Sequence, residues 1–376
     1  MLSFEITDEI TADLKKFNEL AVEKALRIRS LKPDARDAMA RYARISNIGS
    51  TTRIENAVLT DPEIGWMDET LERDARPTAF IKEKRYIEDK LSKQKERSIE
   101  EVAGCRQMLL IVFSQASELF PLSEATIKGL NRELLQYYPP ASPYMGKYKV
   151  VPNNVVEIME GTDVRKDVLK TADPGPITEA AMHDLVRWYN AEIRSHPWSV
   201  AVASELVFRF LAIHPFQDGN GRIGRALFNL ALLQSDETRI AEVLPYIAID
   251  RHIERNKGEY YMVLRRCSEG KFCQDPKEYR IGYFVRFMLR MLTDALESDV
   301  DFYAERYEKF NALSDAQRTV LAAFRERPEE RLGLKDVLSE IDMPRRTAIH
   351  ALSALSDDGF IQKTGRGPAT KYRLAF

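Results

Sequence analysis

His214-Pro215-Phe216-Gln217-Asp218-Gly219-Asn220-Gly221-Arg222-Ile223-Gly224-Arg225 is the densest run of chemistry in this chain. Its glycines, Gly219-x-Gly221-x-x-Gly224, formally match a dinucleotide-binding fingerprint, but that motif requires a preceding strand in a βαβ unit. What precedes is Ser199 to Ile213, with apolar positions at Val200, Val207, Phe210 and Leu211 in a helical pattern. A P-loop is excluded too, because no Lys-Ser or Lys-Thr follows the glycines. The stretch therefore reads as helix, tight loop, helix. The second helix begins near Asn220 and carries Ile223, Leu227, Leu230 and Ala231 as its apolar stripe.

Backbone N–H groups that open a helix are unpaired and carry partial positive charge, and glycines let a ligand approach them. Such a loop is built to hold an anion, and phosphate is the natural candidate. Arg222 and Arg225, three apart on one helix, can each grip phosphate oxygens with a planar fork. Asp218 adds a hard oxygen ligand of the kind that Mg²⁺ on a phosphate uses sparingly. His214, of ordinary pKa ~6.5, suits proton removal from a hydroxyl at neutral pH. A plain polar turn explains any one of these residues but has no need of the combination.

Outward from this stretch, helical periodicity dominates. Leu14, Phe17, Ala21 and Ala25 predict a helix over 8–29 with Thr7 or Asp8 as its N-cap, and a second helix is expected over about 34–48 before Asn47-Ile48-Gly49-Ser50. Residues 75–95 are highly charged and read as a solvated helix face. Core helices are expected over 99–135, then a break at Tyr137-Tyr138-Pro139-Pro140. Tyr148, Val150, Val151, Val155 and Val156 flank Pro152-Asn153-Asn154, which predicts a short β-hairpin over 148–158. Helices resume over about 177–296, and the acidic shift near 299–314 marks the expected start of a C-terminal module.

The chain has 376 residues, 44% of them hydrophobic and 30% charged, with a formal net charge of -2. Disorder is excluded, and nucleic acid or anionic membrane could be bound only through a local patch. Cys105, Cys267 and Cys273 cannot make a disulfide framework and read as buried thiols of a cytoplasmic protein. The acidic N-terminus is unlike a signal peptide, and the longest strongly apolar run, Met108 to Phe113, is too short to cross a membrane.

The 214–225 stretch resembles the signature of the Fic (Fic/Doc) family, H-x-F-x-[D/E]-G-N-G-R-x-x-R, at every defined position. The resemblance extends over roughly Ile99 to Tyr283 and includes the 148–158 hairpin, which corresponds to the family's flap, and the Tyr260-Tyr261-x-x-Leu264 helix. It implies a mainly α fold: a Fic-type helical bundle with a short β-hairpin flap. The organisation expected is an N-terminal helical region (1–98), a Fic catalytic domain (99–298), and a linker with a winged helix-turn-helix (299–376). It also implies transfer of AMP from ATP and Mg²⁺ to a Ser, Thr or Tyr hydroxyl of a target protein docked on the hairpin. In that reading His214 is the general base and Asp218 the Mg²⁺ ligand. Gly219, Asn220 and Gly221 form the anion hole, Arg222 and Arg225 hold phosphates with Ile223 and Gly224 in the same nucleotide-binding segment, and Tyr261 lies near adenine.

Thr51-x-x-x-Glu55-Asn56 resembles the inhibitory motif [S/T]-x-x-x-E-[G/N] of the family, in which the glutamate pairs with the second motif arginine, here Arg225. The segment 315–376 resembles a winged helix-turn-helix, and its basic residues Arg345, Arg346, Lys363, Arg366, Lys371 and Arg373 leave DNA binding through 343–376 and a protein-contact or homodimer role both open. The competing functional readings are a DNA-binding regulator whose Fic domain senses nucleotide, and a Fic enzyme working mainly in de-AMPylation or phosphate transfer.

Overall fold

The Thr7 hydroxyl accepts the Ile10 N–H at 3.3 Å and so starts the first helix, where Asp8 and Glu9 meet the positive end of its dipole. The computed structural model describes residues 1–72, 79–158, 165–325 and 327–375. In chain order the elements are α1 (Asp8–Arg29), α2 (Pro33–Ile54), α3 (Asp61–Glu72), α4 (Ala79–Lys90), α5 (Glu96–Ser114), α6 (Glu124–Leu135), β1 (Asn154–Ile158) and β2 (Arg165–Lys170). There follow α7 (Pro176–Glu192), α8 (Ser199–Ile213), α9 (Asn220–Gln234), α10 (Thr238–Val243), α11 (Ile249–Arg255), α12 (Lys257–Ser268) and α13 (Gly282–Asn311). The chain closes with α14 (Asp315–Arg325), α15 (Leu334–Glu340), α16 (Arg345–Asp357), β3 (Ile361–Thr364) and β4 (Lys371–Leu374). The mainly helical fold expected from the periodicity is the one observed.

Two compact units result: Met1–Ala57 packs with Glu100–Asp301, and Val58–Ile99 packs with the chain from Phe302 onward. The N-terminal region drawn as 1–98 is thus divided between them. In the first unit α8 is mostly apolar and buried along its length apart from Arg209, which pairs with the buried Glu205 one turn earlier, and this makes it the central helix of a bundle. It lies close against α9 because Gly224 has no side chain; a Cβ there would stand 3.2 Å from Leu211 Cδ2. Among the described residues no helix is long and apolar enough to cross a membrane.

Three expectations need correction. The second helix does not stop near Ile48 but continues to Ile54, because Ser46, Asn47, Gly49, Ser50, Thr51 and Thr52 are buried, and their small side chains let α2 approach α11 closely. Tertiary packing here overrides weak helix propensity. The hairpin is also displaced: β1 pairs antiparallel with β2, Asn154 opposite Lys170, so Pro152-Asn153-Asn154 is not its turn and 148–151 is not a strand of it. Asn153 instead spends its amide on the Phe216 carbonyl at 2.7 Å, and Tyr148 bridges to Phe216. Residues 159–164, between the strands, lie outside the described residues, as do 75–78 of the charged stretch, Glu326 and Phe376.

Thirdly, the acidic shift near Asp299 is not a linker. α13 runs through it unbroken, and Asp299, 1% exposed, accepts the Ala248 N–H at 2.8 Å and faces His252 Nε2 at 3.1 Å. In the second unit α4 turns Phe80 and Ile87 inward and leaves Lys82 and Arg85 in solvent. There too α14, α15, α16 and the β3–β4 hairpin enclose Val320, Phe324, Val337, Leu352, Leu355 and Phe360.

Candidate active site

α8 ends at His214, whose N–H still donates to the Phe210 carbonyl at 2.8 Å while its own backbone turns left-handed at φ 53°. Glycine or asparagine normally fills such a position, and a histidine there is held by its surroundings at a cost of order 1 kcal/mol. Phe216, 1% exposed, is wedged between Tyr148 and Phe210 with ring centroids 5.7 and 6.3 Å away. Asn220 closes the loop reciprocally: Oδ1 accepts the Phe216 N–H at 2.9 Å and Nδ2 donates to the Phe216 carbonyl at 2.7 Å. Asn131 Nδ2 holds the Asp218 carbonyl at 3.0 Å.

Beneath the loop sits Lys149, 2% exposed, whose ammonium donates to the Ile213 carbonyl at 3.0 Å, Asn153 Oδ1 at 2.9 Å and Thr171 Oγ1 at 2.8 Å. Burial lowers its pKa to about 8. Its main-chain N–H also fixes the Pro215 carbonyl at 2.7 Å. Neither Lys149 nor Asn131 was singled out from sequence, and with Lys147 two residues before it no local pattern marks Lys149 as the buried one.

Burial first, and the Lys149 charge second, push the His214 imidazole down to about 4, so the ring is neutral at pH 7. Its Nδ1 lies 3.3 Å from the Leu211 carbonyl, an acceptor only, which assigns the proton to Nδ1 and leaves the Nε2 lone pair free. Gly219 opens α9 at φ 85°, and a Cβ on it would meet Leu134 Cδ2 at 2.7 Å. Gly219→Ala is therefore expected to cost about 1–2 kcal/mol from the left-handed backbone alone, with the Leu134 overlap added, read as a lowered Tm in thermal unfolding.

Asp218 Oδ1 accepts the Gly219 N–H at 2.6 Å and Arg222 Nη2 at 3.1 Å. Both bonds fall on one oxygen, and the side chain is 31% exposed, so Oδ2 remains for a cation. No group of three His, Cys, Asp or Glu able to hold a metal occurs among the described residues. Arg222 is 3% exposed, and its Nε and Nη1 are buried with no hydrogen-bond partner among the described residues. Unpaired buried guanidinium N–H groups are costly, and an anion would satisfy them.

Arg225, 2% exposed, is clasped by the last turn of α2: Nε donates to Thr51 Oγ1 at 2.7 Å, and Nη2 to the Thr51 carbonyl and to Glu55 Oε1, each at 2.9 Å. Burial opposes ionisation of Glu55, but Arg225 and then Arg222 outweigh it and hold the carboxyl below its ordinary range. Asn56 follows at φ 72°, a left-handed helix stop that asparagine tolerates, with its Oδ1 3.2 Å from Lys257 Nζ. Glu55 also crowds the start of α9: a Cβ on Gly221 would stand 2.1 Å from Glu55 Oε1. The carboxylate thus occupies the space that the glycine leaves open.

Of these groups Glu55, His214, Asp218, Gly219, Asn220, Gly221 and Arg225 line one cleft together with Tyr261, whereas the sequence-proposed Arg222 is not among its lining residues. Val155 and Val156 of β1 and Tyr260 also line it, and none of these three was proposed as a site residue from sequence. Ile223 and Gly224 do not belong to it. Ile223 is fully buried with its N–H spent on the Gly219 carbonyl at 3.0 Å, and Gly224 faces α8. Their positions on α9 point them into the bundle, which a reading of twelve consecutive residues could not separate from the cleft side.

Residues 121–232 match the family model described as Fic/DOC family. Proteins named protein adenylyltransferase Fic from Drosophila ananassae and Drosophila yakuba are 29% and 32% identical over 152 residues, which is 39% of this chain and 26% of each relative. The chain thus matches about a quarter of the length of these curated relatives. A solved Fic family protein from Desulfovibrio desulfuricans superposes with a TM-score of 0.56 at 21% identity, over 100% of this chain and 98% of that one. A Fic domain containing signalling protein from Bacteroides thetaiotaomicron gives 0.55 at 23% identity, over 78% and 98%. Both likenesses concern the fold.

Proposed function

We propose that this chain, a Fic family protein, is a protein adenylyltransferase that moves AMP from ATP to a hydroxyl of a target protein and is held inactive by Glu55. The observation that carries the reading is the neutral His214 on the wall of the cleft at the start of α9, a helix that also holds a buried Arg222 with two nitrogens unsatisfied among the described residues. An anion seated on the Gly219–Gly221 backbone and Arg222 would satisfy those groups, and His214 Nε2 would face the incoming hydroxyl.

In the proposed reaction the target oxygen forms a bond to the α-phosphorus, the bond from that phosphorus to the α–β bridging oxygen breaks, and pyrophosphate leaves. The target's proton passes to His214 Nε2, while the Leu211 carbonyl keeps the other ring nitrogen protonated. Asp218 would hold Mg²⁺ through Oδ2, and that ion supplies charge neutralisation of the phosphates when bound. Arg222 and Arg225 would steady the negative charge that develops on the departing oxygens. Tyr261, on the cleft wall, would meet the base.

β1 offers the way to present the hydroxyl. Among the described residues it pairs only with β2, whose last residue is in turn bridged to Lys271, so the outer edge of β1 is free beside the cleft. An extended target segment can add there as a strand through main-chain bonds. The direct test is to incubate the Glu55→Gly variant with α-labelled ATP and Mg²⁺ and identify the adduct by mass spectrometry. AMP on protein supports the reading; a phosphate adduct, or none, overturns it.

The depressed imidazole sets the pH dependence. In the Glu55→Gly background the loss of the carboxylate, whose charge raises the His214 pKa, lowers it further. The acidic limb of kcat/KM, which reports the free enzyme, is thus expected well below the ordinary histidine value of ~6.5, with an essentially flat rate from about pH 8 to about pH 5 once the titration of ATP itself is allowed for. A limb centred at the ordinary value would show that His214 is neither buried nor beside Lys149 in the working enzyme.

A further inference from the structure

In the second unit, α15 and α16 are joined by Ile341–Pro344, the short turn of a helix-turn-helix. Ala348, Ala351, Leu352 and Leu355 bury one face of α16, and the opposite face presents Arg346, Ile349, His350 and Ser353 to solvent, with Arg345 exposed at its first turn. Lys363 and Lys371 are exposed on β3 and β4. Arg366 stands exposed at the hairpin tip between Gly365 (φ 80°) and Gly367 (φ 58°). None of Arg345, Arg346, Lys363, Arg366 and Lys371 has an ion-pair partner among the described residues. Beyond Met343 six basic residues stand against Asp357 and Asp358, in a chain whose formal net charge is -2. The start of α16 and the β3–β4 hairpin thus present five exposed cations that no ion pair among the described residues neutralises, although the turn before α16 also exposes Asp342.

We propose that this surface binds duplex DNA, with α16 entering the major groove and the β3–β4 hairpin lying along the adjacent phosphate backbone. A major groove about 12 Å wide admits a helix, and the outward side chains are of kinds that read base edges: arginine to guanine, serine to several bases, an apolar group to a thymine methyl. An acidic protein surface would satisfy the lysines and arginines but leave Ile349 and Ser353 without work, so the duplex is the better fit. The wing residues contact phosphate and contribute position and affinity without sequence.

The test uses the full chain and fluorescence anisotropy with a labelled random duplex of about 25 base pairs, a length spanning two helical turns. Four or five phosphate contacts predict affinity that falls about a hundredfold between 50 and 200 mM salt. Arg345→Ala with Arg346→Ala, and separately Lys363→Ala with Arg366→Ala, should each weaken binding and reduce the salt slope by about 2. Thermal unfolding matching the parent shows that these variants fold. His214→Asn should bind DNA like the parent, which separates this proposal from the catalytic one. Absence of duplex binding at 50 mM salt overturns it, as do both double variants keeping the parent affinity and slope. Dissociation of a self-associated species by these substitutions, with DNA binding unaffected, would assign the face to a protein interface instead.

Discussion

Replacing Glu55 by glycine is expected to raise AMP transfer about ten- to a hundredfold, the value of one charge-assisted hydrogen bond of about 1.5–3 kcal/mol. Glu55 Oε1 accepts Arg225 Nη2 at 2.9 Å and lies where a Gly221 Cβ would be. It therefore takes both the guanidinium and the backbone approach that a triphosphate would need. Ionisation of Glu55 is favoured by Arg225 and Arg222, so the pair persists at neutral pH. Removing the carboxylate should not unseat Arg225, because Thr51 keeps two of its hydrogen bonds. The backbone of residue 55, φ -91° and ψ 17°, is one that glycine adopts without strain. Glu55→Gln, which keeps the shape and loses the charge, should give an intermediate gain. The measurement is initial rate of label transfer from α-labelled ATP at matched protein concentration; equal rates for wild type and Glu55→Gly would remove autoinhibition by this residue.

How much of this could be read beforehand follows from where the contacts lie in the chain. Histidine, carboxylate, glycines and arginines fall within twelve residues, and the helical period on either side places them around a helix start, so the make-up of the candidate site was legible. The Arg225–Thr51 contact spans 174 residues and no local pattern encodes it; only the resemblance of the Thr51–Asn56 motif pointed there. Local rules failed where burial overruled them. The last turn of α2 is built from residues that favour turns when exposed, and the valines before Pro152 looked like strand although Asn153 is held by Phe216. The partners that fix the loop, Asn131 and Lys149, are invisible for the same reason: polar residues become structural only through neighbours brought from elsewhere.

His214→Asn is expected to lower kcat about 10²- to 10⁴-fold, the usual worth of a positioned base, while leaving ATP affinity within a fewfold of the parent. Asparagine is the informative substitution because residue 214 sits at φ 53°, a conformation that asparagine adopts more readily than most other residues with a side chain. The proposed phosphate cradle does not depend on the ring: Asn220 and Asn131 hold the loop before α9, Asp218 holds Arg222 and Thr51 holds Arg225. Done in the Glu55→Gly background, where turnover is measurable, calorimetric ATP binding and label transfer should therefore separate cleanly. A variant that binds ATP and transfers AMP at the parent rate would leave proton removal to solvent and reduce His214 to a helix stop. A variant that loses binding and turnover together would make the ring a wall of the nucleotide site. Only binding retained with turnover lost assigns the hydroxyl proton to the Nε2 lone pair, which among the described residues lining the cleft is the one neutral nitrogen acceptor.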